Sequence, residues 1–520
     1  MSDATPAREN ERGLIKIWHV ASYAAGDALG GGVGQVLSLY YMYFLMYAMG
    51  LSPLLAGTVT GVTRLWDGVI DPLIGVLVDR TRSRWGRCRP WLPFSVLPVF
   101  VSYALLWTNL GIQGQWGRFF YFLFAYILFS TASSIGIVPY DALLPRMVAG
   151  YHERTNYSAY RMVFSGLASV GSTYVYEALI HVETTADYPA NTRGFALLGL
   201  ILGAVFALPL LITFFGSKET VAAARDEASP DLRETLRGYA QLLRCRLYRK
   251  CYFLTMLGAF SASAVVTALA IFVLLIYGNR SLSVPLLGKL TLLFLVVNLK
   301  GALEIGFFLP NVFLMKKYNK HRPLYLDLPL LAAGCAILLF ASPSLPLWLS
   351  LTGIALIGAG SSCLSFVPNT LLPDLPDVDE LICGRRREGV SVGLVKMGKQ
   401  IVAGLSSFVF GLLLTAFHLN QENASPDQAT FGALAAVKIM LCVLPLAASA
   451  LMLMISRRYN LGGAEHAVIK ARIAEKRSSG SARVPPEEQR LFEEITGQPF
   501  GTLWIAESAA PAVEICPRPD

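Results

Sequence analysis

Charge is scarce in this sequence. Of its 520 residues only 15% are Asp, Glu, Lys or Arg, against about 25% in an ordinary soluble domain. Apolar and aromatic residues make up 54%, and the mean hydropathy is +0.50. These values exclude a cytosolic enzyme and a disordered chain. Eight cysteines are present, but no CxxC or Cys/His spacing marks a zinc site or a disulfide framework, so they are read as packing residues. No Walker loop, HExxH or GxSxG occurs, which leaves no motif for an integral-membrane enzyme. The N-terminal MSDATPARENERGLIKIW is mixed in charge, and the apolar segment behind it is too long for a signal peptide and lacks a small-residue cleavage site. The first helix is expected to be retained.

What the chain does have is long apolar runs. Segments of about 18 residues or more, each able to cross roughly 30 Å of hydrocarbon as a helix, recur between Trp18 and Ile455. Breaks in Gly, Pro and charge divide them into twelve predicted spans, at 21–48, 53–78, 91–110, 117–143, 159–181, 194–215, 251–277, 287–314, 323–342, 346–370, 389–416 and 431–455. In lipid every backbone donor and acceptor needs an internal partner, and runs of this length satisfy that as helices rather than as alternating barrel strands. The fold class predicted is therefore an all-α, multi-pass membrane protein.

The net charge of +9 does not point to nucleic acid once the basic residues are placed. Five arginines fall between Arg80 and Arg89, and eight Lys or Arg between Lys218 and Lys250. The loops on the other side hold only Arg118, Arg193, Arg280 and Lys289. By the positive-inside rule both termini are cytoplasmic and the protein sits in the cell's inner or plasma membrane, with membrane lipid as its surroundings. The longest internal polar stretch separates six spans from six. The domains expected are an N-terminal segment 1–20, a six-helix bundle 21–215, a linker 216–250, a second bundle 251–455 and a tail 456–520. Both halves carry a basic turn after their second span, VDRTRSRWGR and FLMKKYNKHR, a pattern expected of parallel-repeat transporters. Within the linker, DLRETLRGYAQLLRCRLYRK has apolar residues at helical spacing and suits either a membrane-surface helix or a cytosolic linker helix. The tail, with RSSGSARVPPEEQR inside it, reads as partly disordered.

An ionisable group inside the bilayer costs at least about 2.5 kcal/mol on insertion scales and needs a partner or a task. The second span reads TRLWDGVIDPLIG, which places Arg64, Asp67 and Asp71 on one helical face. One cation facing two carboxylates leaves about one negative charge, suited to a monovalent cation held by oxygen ligands or to a shared proton. The same cluster could instead only pin helices together. Pro72 can free a backbone carbonyl as a further oxygen. Asp27 lies in GDALGGGVG, where Gly spacing permits close helix approach. Lys396 and Lys399 share a face of span 11, open to snorkelling or to a pathway role. Lys300 and Glu304, spaced i, i+4, can neutralise each other. Asp327, Glu177 and His181 lie near span ends and are expected to reach headgroups or water. Tyr40, Tyr41, Tyr43 and Tyr47 are expected to form an interfacial belt, with stacking on a sugar ring as the alternative.

The second-span motif, together with YAAGDALGGG in span 1, VPYDALLP closing span 4, LLPDLPDVDELICGRRREG between spans 10 and 11 and RRYNLGGAEHAVIKARIAEKR after span 12, resembles the glycoside-pentoside-hexuronide:cation symporter family of the major facilitator superfamily. The resemblance covers nearly the whole membrane part. It implies twelve transmembrane helices in two six-helix bundles, alternating access, a central sugar site and a sodium or proton site beside it. No cofactor beyond that coupling ion is implied. Carried over, the cation-binding carboxylates fall on Asp67 and Asp71, the Arg before that motif on Arg64, and the span-5 Arg on Arg161. The sequence departs from melibiose permease where a sugar-binding Asp is replaced by Ile137, where Ser134 stands for a Thr, and where Asp141 stands for a Trp. The span-11 Lys is met one position off register by Lys399, with Gln400 in the aligned place. The departures bear on the galactoside and leave the cation positions matched.

The expected activity is cation-coupled symport of a sugar, glycoside or uronide, with Asp27, Arg64, Ser134, Asp141, Arg161 and Lys399 as substrate or coupling residues. A lysophospholipid symporter of the same fold is the alternative, toward which Ile137 leans. The partners expected are a small solute and a monovalent cation, with no nucleic acid.

Overall fold

The computed structural model of the chain describes residues 18–148, 151–180, 191–219, 232–278, 281–284, 288–318, 320, 322–342, 346–384, 388–417, 431–457, 463–479 and 484–506. Six helical segments come first. α1 covers 18–48, with a turn at 26–27 and π-helical stretches at Leu37–Tyr41 and Phe44–Ala48. It is followed by α2 (Pro53–Arg80), α3 (Trp91–Leu106), α4 (Gln115–Met147), α5 (Tyr151–Leu179) and α6 (Thr192–Gly216). The linker contributes α7 (Leu232–Arg244). The second half runs through α8 (Arg246–Tyr277), α9 (Leu292–Gly306, continued by Phe308–Lys317), α10 (Pro323–Leu339), α11 (Leu347–Leu371), a short α12 (Leu375–Cys383), α13 (Glu388–Ala416) and α14 (Phe431–Lys438, continued through a π turn by Leu444–Arg457). All twelve predicted spans are helices, in two bundles of six.

Two elements differ from expectation. The start of span 8 is not helical: β1 (Ser281–Val284) pairs antiparallel with β2 (Gly288–Thr291), and α9 begins only after it, capped by the Thr291 hydroxyl accepting from the Phe294 N–H at 3.3 Å. The tail also folds, as α15 (Gly463–Ser479) and α16 (Pro486–Thr496). Ile469, Ile473, Phe492, Ile495, Leu503 and Ile505 are all buried there. Arg477 pairs with Glu380 of α12 at 2.5 Å, and His466 meets Asp377 of α12 at 2.9 Å. Its helical spacing of apolar residues outweighs the polar composition that suggested disorder.

The tyrosines of α1 are not a belt. Tyr40, Tyr41, Tyr43 and Tyr47 are buried in the core of the first bundle. Tyr40 stacks on Tyr176 at 3.7 Å, and Tyr41 meets Trp107 and Tyr126 edge-on. Such ring contacts contribute about 0.5 to 1.5 kcal/mol each, a substantial share where lipid removes most of the hydrophobic drive. On the outer faces Phe94, Leu97, Phe120, Phe124 and Leu309 are exposed, as acyl-chain contacts require.

The bundles meet through α2 with α13, α1 with α8, and α5 with α9. The first contact is glycine-built. A Cβ on Gly404 would lie 2.6 Å from the Gly61 carbonyl oxygen, and one on Gly411 would lie 2.6 Å from that of Pro53. It continues down α2 to Gly68, which faces Met397. These contacts sit in the half of the molecule away from the basic loops.

At the basic end Glu219, just after α6, accepts hydrogen bonds from the backbone N–H groups of Arg87, Cys88 and Arg89 at 3.0, 2.8 and 3.0 Å. Gly86, with φ +108, allows the loop to wrap that carboxylate. Burial pushes the Cys88 thiol up to about 12, against a smaller opposing pull from Arg146.

Two outcomes are expected. Gly404→Val should separate α2 from α13 and lower the melting temperature in detergent, by an overpacking cost of about 1 to 3 kcal/mol. Gly166→Ala, which meets open space, should leave it unchanged. In a variant retaining Cys88 as its only cysteine, maleimide labelling at pH 8 should be negligible, since only about one thiol in 10⁴ is ionised. Glu219→Ala should release the loop and let labelling proceed.

Candidate functional site

The i, i+4 spacing that puts Asp67 and Asp71 on one face of α2 is matched by Ser130 and Ser134 on α4. The Ser130 hydroxyl donates to Asp67 Oδ1, and the Ser134 hydroxyl donates to Asp71 Oδ1 at 2.6 Å. α2 passes through Pro72 without a break. Trp66 Nε1 donates to the Thr131 hydroxyl at 2.9 Å, which fixes the register of the two helices. Each carboxylate therefore has one oxygen held by a serine and the other turned toward a cation.

Those cations come from different places. Arg64 lies 4.0 Å from Asp67 Oδ2, and its other nitrogen donates to Ser38 of α1 at 3.2 Å. Asp71 is met instead by Lys396 of α13, with Nζ 3.1 Å from Oδ2. The expectation of one arginine against two carboxylates is corrected here: the second carboxylate takes its partner from the other bundle. Of the two lysines on this face, Lys396 is the one that reaches a carboxylate. Lys399 turns one turn away and donates to Asn369 of α11 at 2.8 Å. Lys396 and Lys399 share a helical face, so spacing alone could not choose between them.

Lys396 is also 3.8 Å from Asp141 Oδ2. Asp141 accepts from Arg161 of α5 at 2.6 Å, and the same guanidinium donates to Asp27 of α1 at 2.8 Å. Arg161 lies 4.8 Å over the Tyr140 ring. A continuous line of alternating charge thus runs from Asp27 through Arg161, Asp141 and Lys396 to Asp71, with Asp67 and Arg64 beside its end. Four carboxylates face three cationic side chains, so the ionised cluster is one positive charge short. Lys396 and Asp141 keep 45% and 37% of their side-chain surface exposed, whereas Asp67 and Asp71 keep 16% and 17%. The cluster is open on the side of Lys396 and Asp141, and the glycine contact of α2 and α13 closes it toward the opposite end. Ile137 is half-buried on α4.

Other intramembrane charges are settled locally. Lys300 and Glu304 pair with each other at 2.5 Å, as their spacing suggested. Glu177 does not simply reach water: it accepts from Tyr40 at 3.3 Å and from the Thr291 hydroxyl, a link between α5 and α9. His181 lies outside the described residues. Asp327 is fully buried, donated to by Asn311 and Ser362, and reaches neither headgroups nor water. Glycine spacing in α1 does serve close packing, since Gly31 and Gly32 approach Ser165 and Phe206. Sequence reasoning missed Ser130, although its four-residue spacing from Ser134 repeats that of the aspartates. It also left the Lys396 partner unassigned.

The family described as MFS/sugar transport protein matches residues 22–463. The chain belongs to that family. Its relatives include the uncharacterized symporter YnaJ of Bacillus subtilis, 27% identical over 447 residues and covering 82% of this chain and 89% of that one. The isoprimeverose transporter of Lactiplantibacillus pentosus is 22% identical over 437 residues, covering 82% and 87%. The sodium-dependent lysophosphatidylcholine symporter 1-A of Danio rerio is 31% identical over 181 residues, covering 35% and 34%. Among solved structures, the nucleoside transporter NupG superposes with a TM-score of 0.60 at 12% identity, over 85% of this chain and 98% of that one, a likeness of fold alone. The expected resemblance to cation symporters of the major facilitator superfamily holds.

The lysine assignment has a direct check. If Asp67 and Asp71 hold the coupling cation, Lys396→Gln removes a tethered positive charge that competes for Asp71 and is expected to tighten cation binding, read with sodium by calorimetry on the purified protein, by up to about fivefold. A half-exposed ion pair contributes no more than ~1 kcal/mol. Lys399→Gln should leave the affinity where it was.

Proposed function

We propose that the chain is a cation-coupled symporter for a solute of the sugar, glycoside or uronide class, working by alternating access with sodium or a proton as its coupling ion. The observation that carries this reading is the ion pair between Asp71 of the first bundle and Lys396 of the second. A cation taken up between Asp67 and Asp71 displaces Lys396 toward Asp141, and so changes what joins the two halves. Asp141 shares Arg161 with Asp27, so the displaced lysine alters the charge available to a polar solute at Arg161. In this reading Asp67 and Asp71 bind the cation, Ser130 and Ser134 orient them, Arg64 offsets one charge, and Asp27, Asp141 and Arg161 face the solute. Lys399 has no part in the coupling.

A single cation suffices, because the cluster lacks one positive charge. Its downhill entry contributes about 2.3 kcal/mol per 100 mV of membrane potential, besides its concentration gradient. No covalent step is needed, and no residue is assigned one. Net positive-inside counting places the basic end, toward which Lys396 and Asp141 lie open, in the cytoplasm, with the protein in the cell membrane. A lysophospholipid as solute is the second reading. The half-buried Ile137 beside the cluster and the Danio rerio relative favour it, whereas the charged line from Asp27 to Lys396 favours a polyhydroxy or anionic solute.

The test is uptake into proteoliposomes from a panel of sugars, glycosides, uronides and lysophospholipids, with and without an inward sodium or proton gradient. Asp67→Asn and Asp71→Asn are each expected to abolish accumulation above the external concentration while leaving downhill exchange. Uphill accumulation surviving in both variants would overturn the coupling assignment.

A further inference from the structure

The second bundle holds a carboxyl group for which the transport cycle above has no use. Asp327 of α10, Asn311 of α9 and Ser362 of α11 are each fully buried. Asn311 Nδ2 donates to Asp327 Oδ2 at 2.7 Å and to the Ser362 oxygen at 2.6 Å, and the Ser362 hydroxyl donates to the same Asp327 Oδ2 at 2.6 Å. All three donor hydrogens of these two side chains are thereby used, and the Cys363 backbone N–H also acts on the carboxyl group. Two acceptors remain without a partner, Asp327 Oδ1 and Asn311 Oδ1.

We infer that Asp327 is a proton-binding site of the second bundle, separate from the Asp67 and Asp71 pair, at which the carboxyl group carries its proton on the oxygen that accepts no hydrogen bond. The reasoning is a donor count and a charge count. A buried carboxylate needs a cation or several donors, and leaving one oxygen bare is costly. Among the described residues no ion pair or hydrogen bond brings a cationic side chain to Asp327, and Lys317 on α9 stands over the Tyr318 ring. Lys300 pairs with Glu304 on α9, and Lys320 pairs with Asp374. Lys438 of α14 donates to the carbonyls of Leu339 and Ala341. Arg322 stands over the rings of Tyr318 and Tyr325. The remaining titratable neighbours, Cys363 on α11, Cys335 on α10 and Cys442 on α14, are buried thiols and supply no positive charge. One proton both neutralises the group and supplies the missing donor.

A metal ion does not fit as well. Hard cations gather about six oxygens, and here α10 and α11 touch backbone to backbone: a Cβ on Gly360 would lie 2.6 Å from the Asp327 carbonyl oxygen and 2.7 Å from Leu331 Cα. The serine of the site has a counterpart in the first bundle, although the carboxyl it serves there is on the second span of its half and Asp327 is on the third. SSIGIVP at 133–139 of α4 and SSCLSFVP at 361–368 of α11 occupy the fourth span of each half. Ser134 and Ser362, the second serine of each motif, donate to a carboxyl at the same 2.6 Å. The first bundle's carboxyl faces Lys396 across an open cluster, and the second bundle's faces no charge at all.

The experiment is infrared difference spectroscopy on the purified full chain in lipid at neutral pH. Wild type minus Asp327→Asn should show a carboxylic-acid carbonyl band present in wild type and missing in the variant, and sodium should leave that band in place. A missing carboxylate band instead, or loss of the acid band on adding sodium, would overturn the inference. Ser362→Ala provides a second reading that does not depend on replacing the acid. Removing a hydrogen bond to the carboxyl should shift the band without abolishing it, and an unshifted band counts against the site. None of these outcomes depends on which solute is carried.

Discussion

The constraint on which the rest depends is that a carboxylate buried in a bilayer-spanning bundle must find its partner within the protein, and for Asp71 that partner comes from another helix. A surface carboxylate can leave its counterion to the solvent. Asp71 cannot, and its answer is Lys396, which belongs to the other half of the molecule. The pair is therefore both an electrostatic necessity and a joint between two helices, α2 and α13, that otherwise meet through glycines. Small residues let the α2 and α13 backbones approach with little side-chain interlock, so that contact can open without unpacking a core. The aromatic interior of the first bundle, centred on Trp107, Tyr41 and Phe44, is the rigid part against which such a joint can move.

Much of this was legible in the sequence for simple reasons. Twelve helices follow from apolar length, because a membrane leaves few other ways to satisfy a backbone. The shared face of Arg64, Asp67 and Asp71 follows from helical geometry, and so does the Lys300 and Glu304 pair. What was not legible has a common cause: periodicity reports the face of a helix, not what that face meets. Lys396 and Lys399 lie on one face, and only the tilt and register of α13 against α2 decide which of them reaches a carboxylate. Tyr40 through Tyr47 sit at a helix end where a belt is usual, yet the face they occupy turns inward onto Trp107 and Tyr176. Asp327 lies one turn from the end of α10, where snorkelling is normal, but α11 covers it through Gly360. The described part of the tail folds where composition suggested disorder, since its few apolar residues are spaced to meet one another and α12.

The alternating line of charge also explains how two sites can influence each other without a large rearrangement. Lys396 lies between Asp71 at 3.1 Å and Asp141 at 3.8 Å, and Arg161 bridges Asp141 and Asp27. Moving one positive charge by the length of a hydrogen bond at one end changes the pairing at the next. A ligand shifts an equilibrium only by its differential interaction with the states involved. Here that difference is whether Lys396 is needed at Asp71. In the proposed reading a bound cation makes the lysine surplus there, and the bond between the halves weakens on the face where the cluster is already open.

The solute end of the line sets what such a device can carry. Asp141 stands where the resembling permease has an aromatic ring, and Ile137 where it has an acid, so a charge has been gained near the basic end of α4 and lost one turn further in. A sugar held by stacking and a buried aspartate would lose both contacts. A solute held by the Arg161 guanidinium, through a carboxylate, phosphate or closely spaced hydroxyl pair, would gain from an arginine held between two carboxylates and over Tyr140. The chemistry of the cluster therefore discriminates less by ring shape than by whether the solute can replace Asp27 or Asp141 at Arg161. A uronide or a phosphate-bearing lipid meets that condition more fully than a neutral galactoside.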